Sequence, residues 1–168
     1  MKLLQAKLSD IARMQDLVAD EVARGIILAR SDDEVATNIR SYLLALNDEN
    51  ELLGYCALHV QNAKLAEIRS LIVNKNARRM GVGRALVNEH LKKACDLELK
   101  QVFTLTYQRE FFESLGFKEI DKKDLPAQKI WSDCIKCKHF PNCDEIALII
   151  DVNFNNITSK IYNKLKFN

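Results

Sequence analysis

Three stretches of the sequence predict a mixed α/β fold. Glu67 to Val73 is short and rich in branched apolar residues, as a buried strand should be. Asn74-Lys75-Asn76 breaks it, and a glycine turn then leads into Val82, Leu86, His90 or Leu91, and Ala94 at helical spacing. Leu52 to Val60 and Leu65 to Val73 are apolar runs with four residues between them, a connection so short that the two strands must pair antiparallel. Ile146 to Val152 reads as a further buried strand. Strands and helices are therefore interleaved along one chain.

Taken in order, Leu3 to Leu8 is expected as a first strand. Ser9-Asp10 then offers N-cap chemistry to a helix whose apolar positions are Ile11, Met14, Leu17, Val18 and Val22. Gly25 to Arg30 is an irregular apolar segment. Ser31 and Glu34 have capping-box spacing, and the helix they open is expected to run through Val35, Ile39, Tyr42 or Leu43, and Leu46. Asn47 to Asn50 turns the chain into the antiparallel pair. The glycine-turn helix runs to about Leu97, followed by a strand from Val102 to Thr106. A short helix then carries Phe111, Phe112 and Leu115, and Gly116 stops it. Phe117 to Ile120 starts another strand, residues 121–144 form a long polar excursion, and Ile157, Ile161 and Leu165 are spaced for a last helix.

At 168 residues the chain is sized for a single domain, 1–168, large enough for a real core. A net charge of +2 gives no polycation for nucleic acid, so that partner is not expected. No apolar run approaches the ~20 residues that cross a bilayer, and the first residues carry no secretory signal; the expected location is the cytoplasm, without membrane contact.

The chemistry centres on Arg78-Arg79-Met80-Gly81-Val82-Gly83-Arg84. The first N–H groups of a helix have no internal partner, and aligned peptide dipoles leave positive potential there. Glycines let a phosphate approach those donors, and guanidinium groups can pair with its oxygens. A P-loop would need Gly-Lys-Ser/Thr at the end of its loop, which is absent. A dinucleotide fingerprint would need a third glycine where Leu86 stands.

Arg-x-x-Gly-x-Gly between strand and helix, together with Phe-Phe-Glu-Ser-Leu-Gly-Phe further on, resembles the GCN5-related N-acetyltransferases over nearly the whole chain. That resemblance implies a mostly antiparallel mixed sheet flanked by helices, with acetyl-CoA lying where the fourth and fifth strands splay apart. It places Leu71, Ile72 and Val73, with residues 78–84, against the cofactor. Gly25 to Ser31, Glu67, Leu105-Thr106 and Asp124-Leu125-Pro126 together resemble the acetyltransferase domain of bacterial N-acetylglutamate synthases. The implied partners are acetyl-CoA and L-glutamate, joined by direct attack in a ternary complex, with a homodimer as candidate assembly. Most such enzymes carry an amino-acid-kinase-like domain ahead of this one; a short, stand-alone form is expected here, and that departure puts feedback control by arginine in doubt.

Glu67 is the candidate general base, because only a deprotonated amine attacks a thioester and a carboxylate, directly or through water, can take that proton. The competing reading is a carboxylate paired with Arg69 at a strand edge. Arg30 is the candidate clamp for a substrate carboxylate, which guanidinium groups hold bidentately. In the resembling enzymes Leu28 and Ser70 correspond to backbone contacts. Glutamate has a second carboxylate, for which Arg69 and Arg109 compete. Phe112 stands where many acetyltransferases place a proton-donating tyrosine, leaving Thr106 or Tyr107 to offer a hydroxyl. A thiolate with a pKa of ~8.5 needs little help to leave.

Cys134-x-x-Cys137 followed by Cys143, with His139 between, is open to three readings: a structural zinc, a reducible disulfide, or unliganded thiols. Cys56 and Cys95 read as core, and His59 and His90 as structural. Two rival functions remain, an acetyltransferase for another amine and a non-catalytic acetyl-CoA-binding regulator.

Overall fold

The computed structural model describes residues 1–125 and 144–152. Its elements are β1 (Lys2–Gln5), α1 (Ile11–Ala23), α2 (Asp32–Thr37), β2 (Tyr42–Leu46), β3 (Leu52–Val60), β4 (Leu65–Val73), α3 (Val82–Asp96), β5 (Gln101–Thr106), α4 (Arg109–Glu113), β6 (Lys118–Ile120) and β7 (Ile146–Asp151). The strands form one sheet in the order β1-β2-β3-β4-β5-β7-β6. Pairing is antiparallel from β1 to β2, β2 to β3, β5 to β7 and β7 to β6, whereas β4 and β5 run parallel. A parallel pair needs a crossover, which α3 supplies.

Two expected elements are corrected. The first strand ends at Gln5 rather than Leu8, since the Asp10 carboxylate accepts the Lys7 N–H at 2.7 Å and folds Leu8–Asp10 into a 3-10 turn. The second helix starts on the expected box, with Ser31 Oγ accepting from Glu34 N and Glu34 Oε2 accepting from Ser31 N. It stops at Thr37 instead of continuing to Leu46. There the Thr37 Oγ1 and Asn38 Nδ2 side chains donate back four residues to the carbonyls of Asp33 and Glu34, both at 2.8 Å. Tyr42 to Leu46 is a strand, buried at every position between β1 and β3. A short run that is apolar on both faces carries no period, so spacing alone cannot tell strand from helix.

Contacts divide the chain into two compact units, Met1–His59 with Ile68–Glu89, and Val60–Glu67 with His90 onward. The first has a core of Met14, Val18, Val35, Tyr42, Leu44, Tyr55, Ala57 and Ile72. On its other sheet face Gly54 lets α3 approach: a Cβ there would stand 2.5 Å from the Ile72 carbonyl oxygen and 3.3 Å from a Val82 methyl. In the second unit Phe103, Leu125 and Ala147 are the buried centre, with Leu65, Leu105, Ile120 and Ile149 against them.

Candidate active site

The glycine turn is built by strain and capping together. Asn74 ends β4, donating its N–H to Leu53 O at 2.8 Å and accepting Asn76 N–H on its side chain at 3.0 Å. Arg79 then takes φ 65° and Gly81 φ 82°, so two left-handed residues set the direction in which α3 starts. The Gly81 carbonyl accepts from Ala85 N at 2.9 Å, the first bond of the helix. Val82 is buried as the anchor, while Arg79, Met80 and Gly81 face outward and nothing lies within 4 Å of a Cβ at Gly81. Gly83 and Arg84 are half-buried in the first turn, and Leu71, Ile72 and Val73 are the last residues of β4. Arg78 is differently engaged: its Nη2 lies 3.3 Å from Glu21 Oε1 on α1, and its Nε reaches the Val73 carbonyl at 3.5 Å.

In the same unit, Gln15 Nε2 on α1 donates to the Arg30 carbonyl at 2.9 Å and to Asp32 Oδ1 at 3.0 Å, fixing the end of the Gly25–Arg30 segment. Leu28 and Arg30 are half-buried. Burial pushes up the pKa of both the Tyr42 and Tyr55 hydroxyls, and the positive charge of Arg30 pulls against it on each. Tyr42 also hydrogen-bonds Ser70, which sits in mid-strand at φ 53°. A left-handed serine costs about 1–3 kcal/mol, and such residues persist where surrounding contacts over-determine them. Arg30 and Ser70 thus both act on the Tyr42 hydroxyl, and Tyr42 packs edge-on against Tyr55.

Glu67 is 2% exposed on β4, an interior strand of the sheet, which removes the strand-edge reading. Gln61 Nε2 donates to its Oε2 at 3.3 Å. The parallel ladder pairs Leu65, Ala66 and Glu67 with Gln101, Val102 and Phe103 and goes no further, so the carboxylate stands at its last rung. Arg69 follows on the same strand, half-buried.

Beyond β5, Thr106 Oγ1 accepts the Gln108 N–H at 3.0 Å, and the exposed Tyr107 hydroxyl donates to Asp144 Oδ1 at 3.0 Å. Arg109 forks onto both Glu119 oxygens, with Nη2 to Oε1 at 2.9 Å, so its planar face for a carboxylate is already used. Phe112 is buried, with edge-to-face partners Phe111 at 5.0 Å and Phe117 at 5.2 Å. Cys56 is buried and its thiol is pushed far up by that burial; Cys95 is half-buried, and His90 is fully buried in α3. Cys134, Cys137 and Cys143 lie outside the described residues, as do Trp131 and the expected last helix. Among the described residues no cluster of three or more His, Cys, Asp or Glu side chains is arranged for a metal ion. No helix among them is long and apolar enough to cross a membrane.

An uncharacterized N-acetyltransferase of Chlorobaculum tepidum is 37% identical to this chain over 144 residues, which make up 86% of the chain and 92% of the relative. The chain belongs to the GNAT acetyltransferase family. The profile of the acetyltransferase (GNAT) domain matches residues 38–119, from the end of α2 through β6. Within the family, an amino-acid acetyltransferase of Mycobacterium tuberculosis is 32% identical over 126 residues, 74% of this chain and 72% of that one. Among solved structures, the N-acetylglutamate synthase of Neisseria gonorrhoeae, complexed with coenzyme A and N-acetyl-glutamate, superposes with a TM-score of 0.80 at 25% identity, over 90% of this chain and 35% of that one.

Sequence reasoning missed Glu21, a carboxylate only 9% exposed that lies against Arg78 of the glycine turn. The signal was present, because 14, 18 and 21 follow the buried stripe of α1, and a carboxylate on that stripe needs a cationic partner.

Proposed function

We propose that this chain transfers the acetyl group of acetyl-CoA to the α-amino group of L-glutamate, the first step of arginine biosynthesis in organisms that use this route. The observation that carries the reading is the buried Glu67 carboxylate, on a fold that matches a synthase holding coenzyme A and N-acetyl-glutamate. In this reading Glu67 takes a proton from the substrate ammonium, directly or through one water. The freed nitrogen lone pair attacks the thioester carbonyl carbon to give a tetrahedral intermediate; its collapse breaks the carbon–sulfur bond, and the second proton of the former ammonium nitrogen passes by way of a hydroxyl to the departing coenzyme A sulfur, a competent leaving group with a thiol pKa of ~8.5. Thr106 is the hydroxyl assigned to protonate it, since Tyr107 is committed to Asp144.

The residues of the glycine turn, with Leu71, Ile72 and Val73, hold the cofactor, its pyrophosphate against the first turn of α3. Arg30 takes one glutamate carboxylate. The other carboxylate falls to Arg69 or Arg109, the latter paired with Glu119. Leu28 and Ser70 offer backbone contacts.

Coenzyme A release, followed across a panel of amino acids, polyamines and peptide N-termini, tests the acceptor. L-Glutamate should be preferred, and Arg30→Ala should raise its KM by about thirtyfold, the equivalent of ~2 kcal/mol for a lost bidentate pair, while the KM for acetyl-CoA moves little. Preference for another amine would replace glutamate and leave the family chemistry standing. Glu67→Gln should lower kcat by about 10²-fold near neutral pH, with part of the loss recovered at higher pH where free amine is abundant. Full activity of that variant would place the base elsewhere.

A further inference from the structure

Glu21 sits where two segments meet inside one unit. Its backbone carbonyl accepts the Ile26 N–H at 2.9 Å and the Ile27 N–H at 3.4 Å, which turns the chain out of α1 into the segment ending at Arg30. Its carboxylate, on the same buried stripe, lies 3.3 Å from Arg78 Nη2 and 3.6 Å from Arg24 Nη2. The neighbouring Asp20 carboxylate holds Lys75 Nζ at 2.8 Å, and that contact depresses the Asp20 pKa. The last turn of α1 therefore grips the chain between β4 and α3 at two points, one exposed and one whose carboxylate is shielded while its arginine is half exposed.

We propose that Glu21 is a positioning residue that sets the acceptor segment and the phosphate-binding turn from a single point. A surface ion pair such as Asp20–Lys75 contributes little. Glu21 differs because its carboxylate is shielded, and a guanidinium held to it fixes where Arg78 and hence the left-handed Arg79 begin the turn. Its carbonyl fixes the other segment on the far side of the same residue. Arg78 on this view acts through the loop it anchors, with its charge largely offset by Glu21.

The proposal rests on the cofactor assignment of the glycine turn, and the test separates the two. Coenzyme A affinity is measured by calorimetry for the full chain and for Glu21→Ala, Glu21→Gln, Arg78→Ala and the Glu21→Ala/Arg78→Ala double variant, with the melting midpoint as a check on folding. Glu21→Ala should weaken coenzyme A about tenfold, and Glu21→Gln, which keeps the size and an acceptor oxygen, should fall between it and the parent. Adding Glu21→Ala to Arg78→Ala should cost less than twofold more. In steady state Glu21→Ala should raise KM for acetyl-CoA, and KM for the acceptor too because the end of α1, no longer tied to Arg78, carries the Glu21 carbonyl with it, with kcat at saturation within about twofold, a split that a merely lower folded fraction would not produce.

Should Glu21→Ala tighten coenzyme A, Arg78 is a direct phosphate ligand that Glu21 restrains, and the proposal falls. It falls also if the two single effects multiply, or if KM for the acceptor is unmoved. A parent chain that takes up no coenzyme A would remove the cofactor assignment itself. If Glu21→Ala does not fold, the Glu21→Gln and Arg78→Ala comparison decides the matter on the same criteria.

Discussion

Two glycine turns with similar backbone angles do opposite work. Gly81, at φ 82°, opens a 15-residue helix, is exposed, and has empty space where a side chain would stand. Gly116, at φ 97°, closes the short α4, and its surroundings are saturated: its N–H goes to Glu113 O at 2.9 Å and the next N–H, of Phe117, to Phe112 O at 3.2 Å. Phe112 and Phe117 then stack over the closed end. One turn opens a helix whose first N–H groups have no partner within it, and the other closes a helix on the carbonyls of Glu113 and Phe112. Positive φ alone thus says nothing about function; what the adjoining N–H groups face decides it.

Substitutions can break this contrast. The largest effect is expected at Gly81, where Gly81→Asp and Gly81→Asn share size and tolerance of left-handed backbone and differ in charge. Both should fold, and calorimetry should show the aspartate form binding coenzyme A at least about tenfold more weakly than the asparagine form. Equal affinities would mean that no phosphate sits at this turn. Next, Gly116→Ala should destabilise by about 1–2 kcal/mol, the cost of a left-handed alanine, which lowers the melting midpoint by several degrees. Its coenzyme A affinity should match the parent's, and a matched loss would show the two turns to be linked. The smallest effect is expected from Arg79→Gly. Release of left-handed strain should offset the added chain entropy and leave stability within about 0.5 kcal/mol, while loss of the cation weakens coenzyme A a few-fold.

The sequence carried the sheet's centre well. The limits of β3 and β4 follow from Leu52, Val60, Leu65 and Val73, because turn residues flank both runs and a four-residue connection admits one pairing. Ser31 and Glu34 marked the start of α2 for a local reason, two reciprocal hydrogen bonds that need nothing from the rest of the chain. Its end was illegible, since Val35, Ile39 and Tyr42 fit a helical stripe and only pairing with β1 and β3 makes Tyr42 part of a strand. The left-handed Ser70 was hidden too: no serine in a branched apolar run announces positive φ. For the site, residue types at motif positions were readable, whereas engagement was not. That Arg109 is taken by Glu119, and Arg78 by Glu21, depends on partners ten and fifty-seven residues away.

The place of β7 has a consequence for how the protein is made. It lies between β5 and β6, pairing Gln101 with Asp151 and Lys118 with Ile149, so among the described residues β6 has no other strand beside it. While the ribosome is still short of Ile146, the nascent chain can hold β5 against β4 but leaves its far side uncovered, an apolar edge able to accept a strand from another chain. Chaperone capture during translation should therefore concentrate in that interval, and a stop codon placed just ahead of Ile146 should yield inclusion bodies rather than a smaller soluble enzyme.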